Sequence, residues 1–376
     1  MASLAIKNLF HEKVRLVVTL TGIVFSVILT AVQLGIFQGF IAASTDIVGK
    51  SNADLWIVSK NVTHVEQGVV FPESKLYRVK EIAGVERAEK HIVSLGGQAK
   101  KPDGSDEGVT LVGFDLDAGM GGPWNIVRGS IKDLEQPDAV MIDELYAVDK
   151  LGVTSLGQVF ELNAKRARVV GFTRGIRIFT SQPAVFTSFK NAQNFLNLEE
   201  NQTLYIVVKA APGVEIADLK MRIAANLTDV EVLTRSELVY RQGMYWVIGT
   251  GAGITVLVAA ALAIIVGVVI VAQTIYSATV DHIREYGTLK AMGATNFYLY
   301  KIIITQALVS GLISFVIGIG VSLIISRISM EGTLAIIVNW QLILALFVLT
   351  ILMCCGSSIV AIRKATSIDP AMVFKG

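Results

Sequence analysis

Four stretches of this chain contain no Asp, Glu, Lys or Arg: Leu16 to Thr45, Gln242 to Val280, Ile302 to Ser326 and Gly332 to Ile362. An α-helix rises about 1.5 Å per residue, so about 20 residues cross a ~30 Å hydrocarbon layer. Each stretch is long enough to cross, and a buried helix of a water-soluble core rarely lacks charge over so long a run. The first stretch is also too long for a cleaved signal peptide, whose apolar region is about 7–15 residues, and reads as a retained anchor. Charged residues are only 17% of the 376, against about 25% in soluble domains. The four windows account for the deficit.

Orientation follows from the Lys and Arg in the short flanks, which are enriched on the cytoplasmic side. Lys7, Lys13 and Arg15 precede the first window, Arg284, Lys290 and Lys301 lie between the second and third, and Arg363, Lys364 and Lys375 follow the fourth. The connection between the third and fourth carries only Arg327. Both termini and the middle loop are therefore expected in the cytoplasm, and the long segment between the first two windows outside. The resulting organisation is a cytoplasmic amphipathic helix over 1–15, with Ala5, Ile6, Leu9 and Phe10 on one face, and a first span over 16–43. An extracytoplasmic domain follows over 44–241, then a second span with an extension over 242–280 and a cytoplasmic coupling segment over 281–300. The third span is placed at 301–326, a short outer loop at 327–333, the fourth span at 334–362 and a cytoplasmic tail at 363–376.

The spans hold no acidic or basic side chain, which argues against a self-powered, ion-coupled carrier. Gly35 and Gly39 in the first span, and Gly249 and Gly253 in the second, have the small-xxx-small spacing of helix-packing surfaces.

The large segment mixes short strand patterns with helical ones. Strands are expected at Ala53–Val58, Val109–Val112, Ala139–Ile142, Val159–Leu162, Ala167–Val170, Leu204–Val208 and Glu231–Leu233, and helices at Glu73–Ile82, Ser188–Leu196 and Ile216–Ala225. This is an α+β domain without the pattern of parallel βαβ winding. It carries no recognisable catalytic, cofactor or metal motif. His64 and His91 are isolated, and Asp115 and Asp117 beside Gly113 and Gly119 read as a turn. Lys165, Arg166, Arg168, Arg174 and Arg177 make a locally basic region whose default reading is a solvated face. The adjacent Cys354 and Cys355 offer no ordinary staple, and a net charge of +2 gives no footprint for nucleic acid.

The most informative segment is the loop from Asp281 to Ala294. Asp281 and Arg284 are i,i+3 partners on a short polar helix. Gly293 fits its C-terminal cap after Met292, and Thr295 can N-cap the helix that follows. A short helix held between two spans at the membrane face can transmit a push from a cytoplasmic partner.

The run Arg284-Glu285-Tyr286-Gly287-Thr288-Leu289-Lys290-Ala291-Met292-Gly293-Ala294 resembles the R-E-x-G-x-L-[KR]-A-x-G-A signature of ABC transporter permeases of the MacB/FtsX superfamily. The opening Ala5-Ile6-Lys7-Asn8-Leu9 and the closing Ile368-Asp369-Pro370-Ala371 are similar to that family's ends, and the layout looks closest to the DevC type. The resemblance implies an integral membrane protein with four transmembrane α-helices and a MacB-like extracytoplasmic domain in two lobes, the second inserted at about 124–197. It implies a dimer of permeases in the bacterial inner membrane and a separate ATPase subunit, which would carry ATP and magnesium. That subunit would dock beneath a coupling element of Arg284, Glu285, Gly287, Lys290, Gly293 and Ala294. DevC-type permeases further imply a periplasmic adaptor and an outer-membrane channel, and hence a mechanotransmitting exporter. LolC/LolE-like lipoprotein release and FtsX-like control of a cell-wall hydrolase share the layout and stand as alternatives. No P-loop motif occurs in the sequence, so ATP hydrolysis is expected from the other chain.

Overall fold

The computed structural model describes residues 13–366 apart from 102 and 228. The expected amphipathic helix before residue 13 and the closing tail around Ile368 to Lys375 lie outside the described residues. The chain divides into a helical unit and a large domain, the latter formed by Phe40–Gly253 with Glu331–Thr333.

The helical unit contains most of four long apolar helices: α1 (Lys13–Gly49), α7 (Ala252–Asp281), α9 (Asn296–Ser329) and α10 (Trp340–Thr366), with the short α8 (Ile283–Ala291) between α7 and α9. Among the described residues, four helices are long and apolar enough to cross a membrane. Ile23, Val27 and Ala31 of α1, Val271 and Ile275 of α7, Ile302 and Ile303 of α9, and Leu342 and Leu346 of α10 form one apolar cluster. Serine and threonine line its interior. Ser322, Thr350 and Ser358 are buried and each donates to the carbonyl four residues back, at 2.7–2.8 Å. Lipid offers no hydrogen-bond partner, so the helix supplies one from its own backbone.

Two expectations about the spans need correction. The charge-free run from Gln242 does not form one helix. Its first residues close α6 (Arg235–Met244), Tyr245–Gly249 form a π turn, and Gly251 takes φ +74°, which stops the helix before α7 begins. Gly249 and Gly253 therefore do not share a helical face. A β-carbon at 249 would meet the Tyr245 ring at 3.2 Å, and one at 253 the Val247 Cα at 2.5 Å. The fourth helix starts at Trp340 rather than at 334, because Asn339 caps it by accepting from Leu342 N at 2.8 Å.

The residues before Asn339 lie instead on α1. Ile337 N donates to the Gly35 carbonyl at 3.0 Å. A β-carbon on Gly35 would sit 2.6 Å from Ile336 Cγ2, and one on Gly39 would collide with the Ala335 carbonyl. The Gly35/Gly39 pair thus seats a non-helical segment, not a neighbouring helix.

The large domain contains β1 (Leu55–Ser59), β2 (Phe71–Pro72), α2 (Ser74–Lys80), β3 (Val85–Lys100), β4 (Asp106–Phe114), β5 (Ile126–Arg128), β6 (Ala139–Asp143), α3 (Glu144–Leu151), β7 (Val159–Leu162) and β8 (Lys165–Thr173). It continues with β9 (Ala184–Ser188), α4 (Phe189–Leu196), β10 (Gln202–Thr203), β11 (Tyr205–Ala210), α5 (Ile216–Asn226), β12 (Val230–Thr234) and α6. A path of hydrogen-bonded strands runs β12-β1-β11-β3-β4-β9-β6-β8-β5. The first lobe is β12, β1, β11 and the start of β3, all antiparallel. Leu76 and Val79 of α2 and Leu219 and Ile223 of α5 join Leu55, Ile57, Ile206 and Val208 in its core.

The second lobe closes on itself. The end of β3 pairs with β4 and also with β7, while β7 pairs with β8. Six strands, β3-β4-β9-β6-β8-β7, thus form a ring, which leaves none of them an open edge. Val93, Val109, Leu111, Val140, Ile142, Leu162, Val169, Val185 and Phe186 are buried in the cluster that includes it. β4 runs parallel to β9, and β6 parallel to β8 with α3 in the connection, so parallel winding is present where the sequence pattern shows none. The second lobe also begins earlier than 124. The long β3 serves both lobes, pairing with β11 up to His91 and with β4 from Ile92.

Candidate coupling site

α8 is short because both its ends are specified locally. After α7 ends at Asp281, His282 breaks the helix with φ −93° and ψ 14°. At the other end the Ala294 N–H donates to the Leu289 carbonyl at 3.0 Å and the Gly293 N–H to the Lys290 carbonyl at 3.1 Å. These two bonds, with Gly293 at φ +96°, make a Schellman C-cap, a conformation that a β-carbon disfavours. Thr295 then caps α9, its hydroxyl accepting from Tyr298 N at 3.4 Å.

The two faces of α8 differ. Tyr286 and Gly287 are buried. The Tyr286 ring belongs to the apolar cluster with Leu299, Ile302 and Leu346, with Leu289 packed against it, and the phenol donates to Gln306 Oε1 on α9 at 3.1 Å. The helix also packs against α10. On the other face Arg284, Glu285 and Thr288 are exposed, and Glu285 Oε1 lies 3.0 Å from His282 Nδ1. Met292 is 72% exposed and Phe297 76%.

The structure therefore separates the six candidate coupling residues by exposure. Arg284 and Glu285 lie on the exposed face, Gly287 on the buried one, and Gly293 at the exposed cap, while Lys290 and Ala294 are half-buried. Three residues were missed: Tyr286, which seats the helix, and the exposed apolar pair Met292 and Phe297. The signal for Tyr286 is its three-residue spacing from Ile283 and Leu289.

A second cluster lies within the large domain. Gln242 is fully buried and joins three chain segments. Its Nε2 donates to the Ser44 carbonyl of α1 at 2.6 Å and to Glu66 Oε1 at 2.8 Å, while its Oε1 accepts from Val65 N at 3.3 Å. Glu66 is only 4% exposed. Burial pushes its carboxyl up to about 7, although the Gln242 amide and the nearby Trp246 indole favour the charged form. His64 stacks on Tyr245 at 4.0 Å, and burial holds its pKa below the usual histidine value. Tyr205 donates to the Val65 carbonyl at 2.7 Å, and Arg241 is held by Glu231 at 2.5 Å.

A carboxyl raised from 4.5 to about 7 makes the folded chain bind a proton that the unfolded chain releases first, so stability falls as pH rises across that window. Glu66→Gln keeps the acceptor for Gln242 and removes the titration. Its Tm is expected to decline less than the wild type's between pH 4.5 and 7 and to exceed it above pH 7, as thermal unfolding in detergent measures. Parallel Tm profiles would contradict this.

The other sequence candidates have structural partners. His91 is fully buried beneath Trp56 at 5.2 Å, and burial lowers its pKa to about 3, so it stays neutral. Asp115 accepts from Asp117 N at 3.1 Å in a turn. Of the basic region, Arg174 reaches Glu144 at 2.8 Å, beside Arg128 at 2.9 Å.

Two family models match the sequence: the MacB-like periplasmic core domain over residues 16–226 and the FtsX-like permease C-terminal region over residues 243–370. An uncharacterized ABC transporter permease of Mycobacterium tuberculosis is 26% identical over 382 residues, covering 99% of both chains. Another, from Methanocaldococcus jannaschii, is 22% identical over 59% of this chain and 58% of its own. Among solved structures, the extracellular domain of the transporter YknZ from Gram-positive bacteria aligns with a TM-score of 0.37 and 16% identity, over 48% of this chain and 98% of that one. The periplasmic region of MacB from Actinobacillus actinomycetemcomitans aligns with a TM-score of 0.38 and 14% identity, over 50% of this chain and 90% of that one. The first family match takes in most of the two-lobed domain and the second all of α7 to α9 with the coupling segment. The chain is thus a multi-pass membrane protein that belongs to the MacB/FtsX family of ABC transporter permeases.

Proposed function

We propose that this chain is the permease subunit of an ATP-driven exporter that works by mechanotransmission. A separate ATPase subunit, carrying ATP and magnesium, docks on the exposed face of α8. The push passes through the buried Tyr286 and the half-buried Leu289 into the spans and from there to the large domain. The observation that carries this reading is the build of α8: a helix fixed at its end by Gly293 and seated on α9 by Tyr286, with polar and apolar side chains exposed. A rigid element of this kind can have two positions that a partner biases, which is what coupling between sites requires.

In this reading α8 and both termini lie in the cytoplasm of a bacterial cell, the two-lobed domain in the periplasm and the spans in the inner membrane, which the Lys and Arg of the short flanks support. A second permease copy completes the transporter, and a periplasmic adaptor with an outer-membrane channel extends it to a tripartite assembly.

Glu285→Ala removes an exposed carboxylate, and Gly293→Leu opposes the positive-φ cap. Both variants are expected to insert normally and to stimulate the ATPase at least about fivefold less, within the usual range of coupling free energies. Measuring ATP hydrolysis of the purified complexes in nanodiscs checks this. Full stimulation in both variants would sink the assignment.

A further inference from the structure

The connection from β8 to β9, residues 174–183, is irregular, yet it is anchored at both ends. Its root is tied to Asp143, a fully buried carboxylate at the end of β6. Asp143 accepts from Thr173 Oγ1 at 2.9 Å, Ile176 N at 2.8 Å, Gly175 N at 3.2 Å and Leu145 N at 3.1 Å. A buried carboxylate is tolerated only when its oxygens are satisfied in this way, and the same four bonds fix where the segment leaves the barrel. Ile176 and Ile178 then bury in the domain core. At the far end the Pro183 carbonyl accepts from Thr110 N at 2.9 Å.

Between these anchors the segment reaches three places where the large domain joins the membrane helices. The Phe179 N–H donates to the Ala43 carbonyl of α1 at 3.2 Å. Its ring packs edge-on against Phe40 of α1 at 4.6 Å and lies tilted against Trp246, in the π turn that leads to α7, at 5.0 Å. Arg177 Nε donates to the Gly332 carbonyl, in the connection between α9 and α10, at 3.1 Å. All these groups belong to the large domain. One short segment of the barrel thus touches chain that continues into all four long helices.

We propose that residues 174–183 are a strap that couples the ends of the membrane helices to the barrel, with Phe179 as its principal positioning residue. The proposal rests on the mechanotransmission reading above and adds to it the route by which the second lobe is driven. The first lobe has its own link, because the chain enters it directly from α1 and leaves it directly into α6. The barrel is inserted within that lobe and lacks a continuous helix of its own to either span. A side contact must therefore carry movement to it, and the strap makes that contact with backbone, aromatic and cationic groups together. Aromatic pairs at these separations favour defined edge-on geometries, so the tip transmits position more faithfully than an aliphatic contact of the same area.

The test uses the full-length permease with its co-purifying ATPase in nanodiscs, with ATP and orthovanadate as the probe and hydrogen exchange as the readout. In the wild type, trapping is expected to change exchange in α8 and in the barrel strands β6 and β8. In Phe179→Ala the α8 change is expected to persist while the barrel change falls about fivefold or more. Phe179→Tyr, which keeps the ring, restores it. Unaltered exchange in β1, β11 and β12 certifies that the variant is folded. An undiminished barrel response in Phe179→Ala, with α8 responding, overturns the strap alone. No response at α8 in the wild type overturns the coupling reading and the strap with it.

Discussion

Gly39→Ala is expected to lower the thermal stability of the protein by about 6 °C or more, whereas Gly320→Ala and Gly356→Ala leave it unchanged or slightly raised. All three positions lie in long helices, so helix propensity alone favours alanine each time. What separates them is space. A β-carbon at 39 would fall on the backbone carbonyl of Ala335, while at 320 and 356 nothing lies within 4 Å. A carbonyl cannot rotate out of the way as a side chain can. The segment it belongs to is also held, by Ile337 N on the Gly35 carbonyl at 3.0 Å, Ile336 N on Ser329 Oγ at 2.9 Å and Ser326 Oγ on the Ile336 carbonyl at 2.6 Å. Accommodating one methyl therefore costs an overpacking penalty of about 1–3 kcal/mol and about 1 kcal/mol for each hydrogen bond lost. Unfolding followed by size-exclusion in detergent reads the difference. Equal Tm values for all three variants would contradict the seating of this segment on α1.

Tyr286→Ala is expected to cut ATPase stimulation about tenfold or more, with the four long helices still assembled. Tyr286 is only 2% exposed, and truncating a buried aromatic costs about 3–5 kcal/mol. α8 has nine residues, and isolated helices shorter than about 12–15 residues are marginal in water. Without the ring that seats it, α8 frays, and a frayed segment cannot pass on a push. Tyr286→Phe keeps the packing and loses only the hydrogen bond to Gln306, about 1 kcal/mol, so most of the stimulation is retained. Hydrogen exchange across Ile283–Ala291 distinguishes the two variants: fast in the alanine form, slow in the phenylalanine form. Slow exchange and full stimulation in Tyr286→Ala would contradict the role given to its ring.

The parts of this fold that are legible in the sequence are those written in a single local code. Charge-free runs mark the membrane helices because hydrocarbon excludes charge whatever the tertiary context. Gly293 marks a cap because a positive φ is a property of one residue and its neighbours. β3 is obscured because Glu86, Arg87, Glu89 and Lys90 interrupt its apolar pattern. Lys90 and Glu89 are accommodated by partners distant in sequence, Glu73 at 2.6 Å and Lys80 at 2.9 Å. The closed barrel is hidden for a related reason, since it depends on β7 pairing with two strands at once. Gly249 and Gly253 misled because spacing presupposes one helix, and Gly251 between them ends it. Within the candidate coupling site, the signature reports Glu285 and Gly293, but the exposure of Met292, just past α8, and of Phe297, at the start of α9, depends on how these helices pack against the others.

The most direct test of the central claim, that α8 and its flanks form the docking face for an ATPase, is affinity purification from native membranes in mild detergent. The wild-type permease and a Met292→Glu/Phe297→Glu variant are purified in parallel, and co-purifying subunits are identified by mass spectrometry. Both substituted side chains are largely solvent-exposed, at 72% and 76%, so the variant should insert and fold as the wild type does. An ATPase subunit is expected with the wild type and is expected to be lost from the variant. Recovery of the same ATPase in equal amount with both proteins, or of none with the wild type, would contradict it.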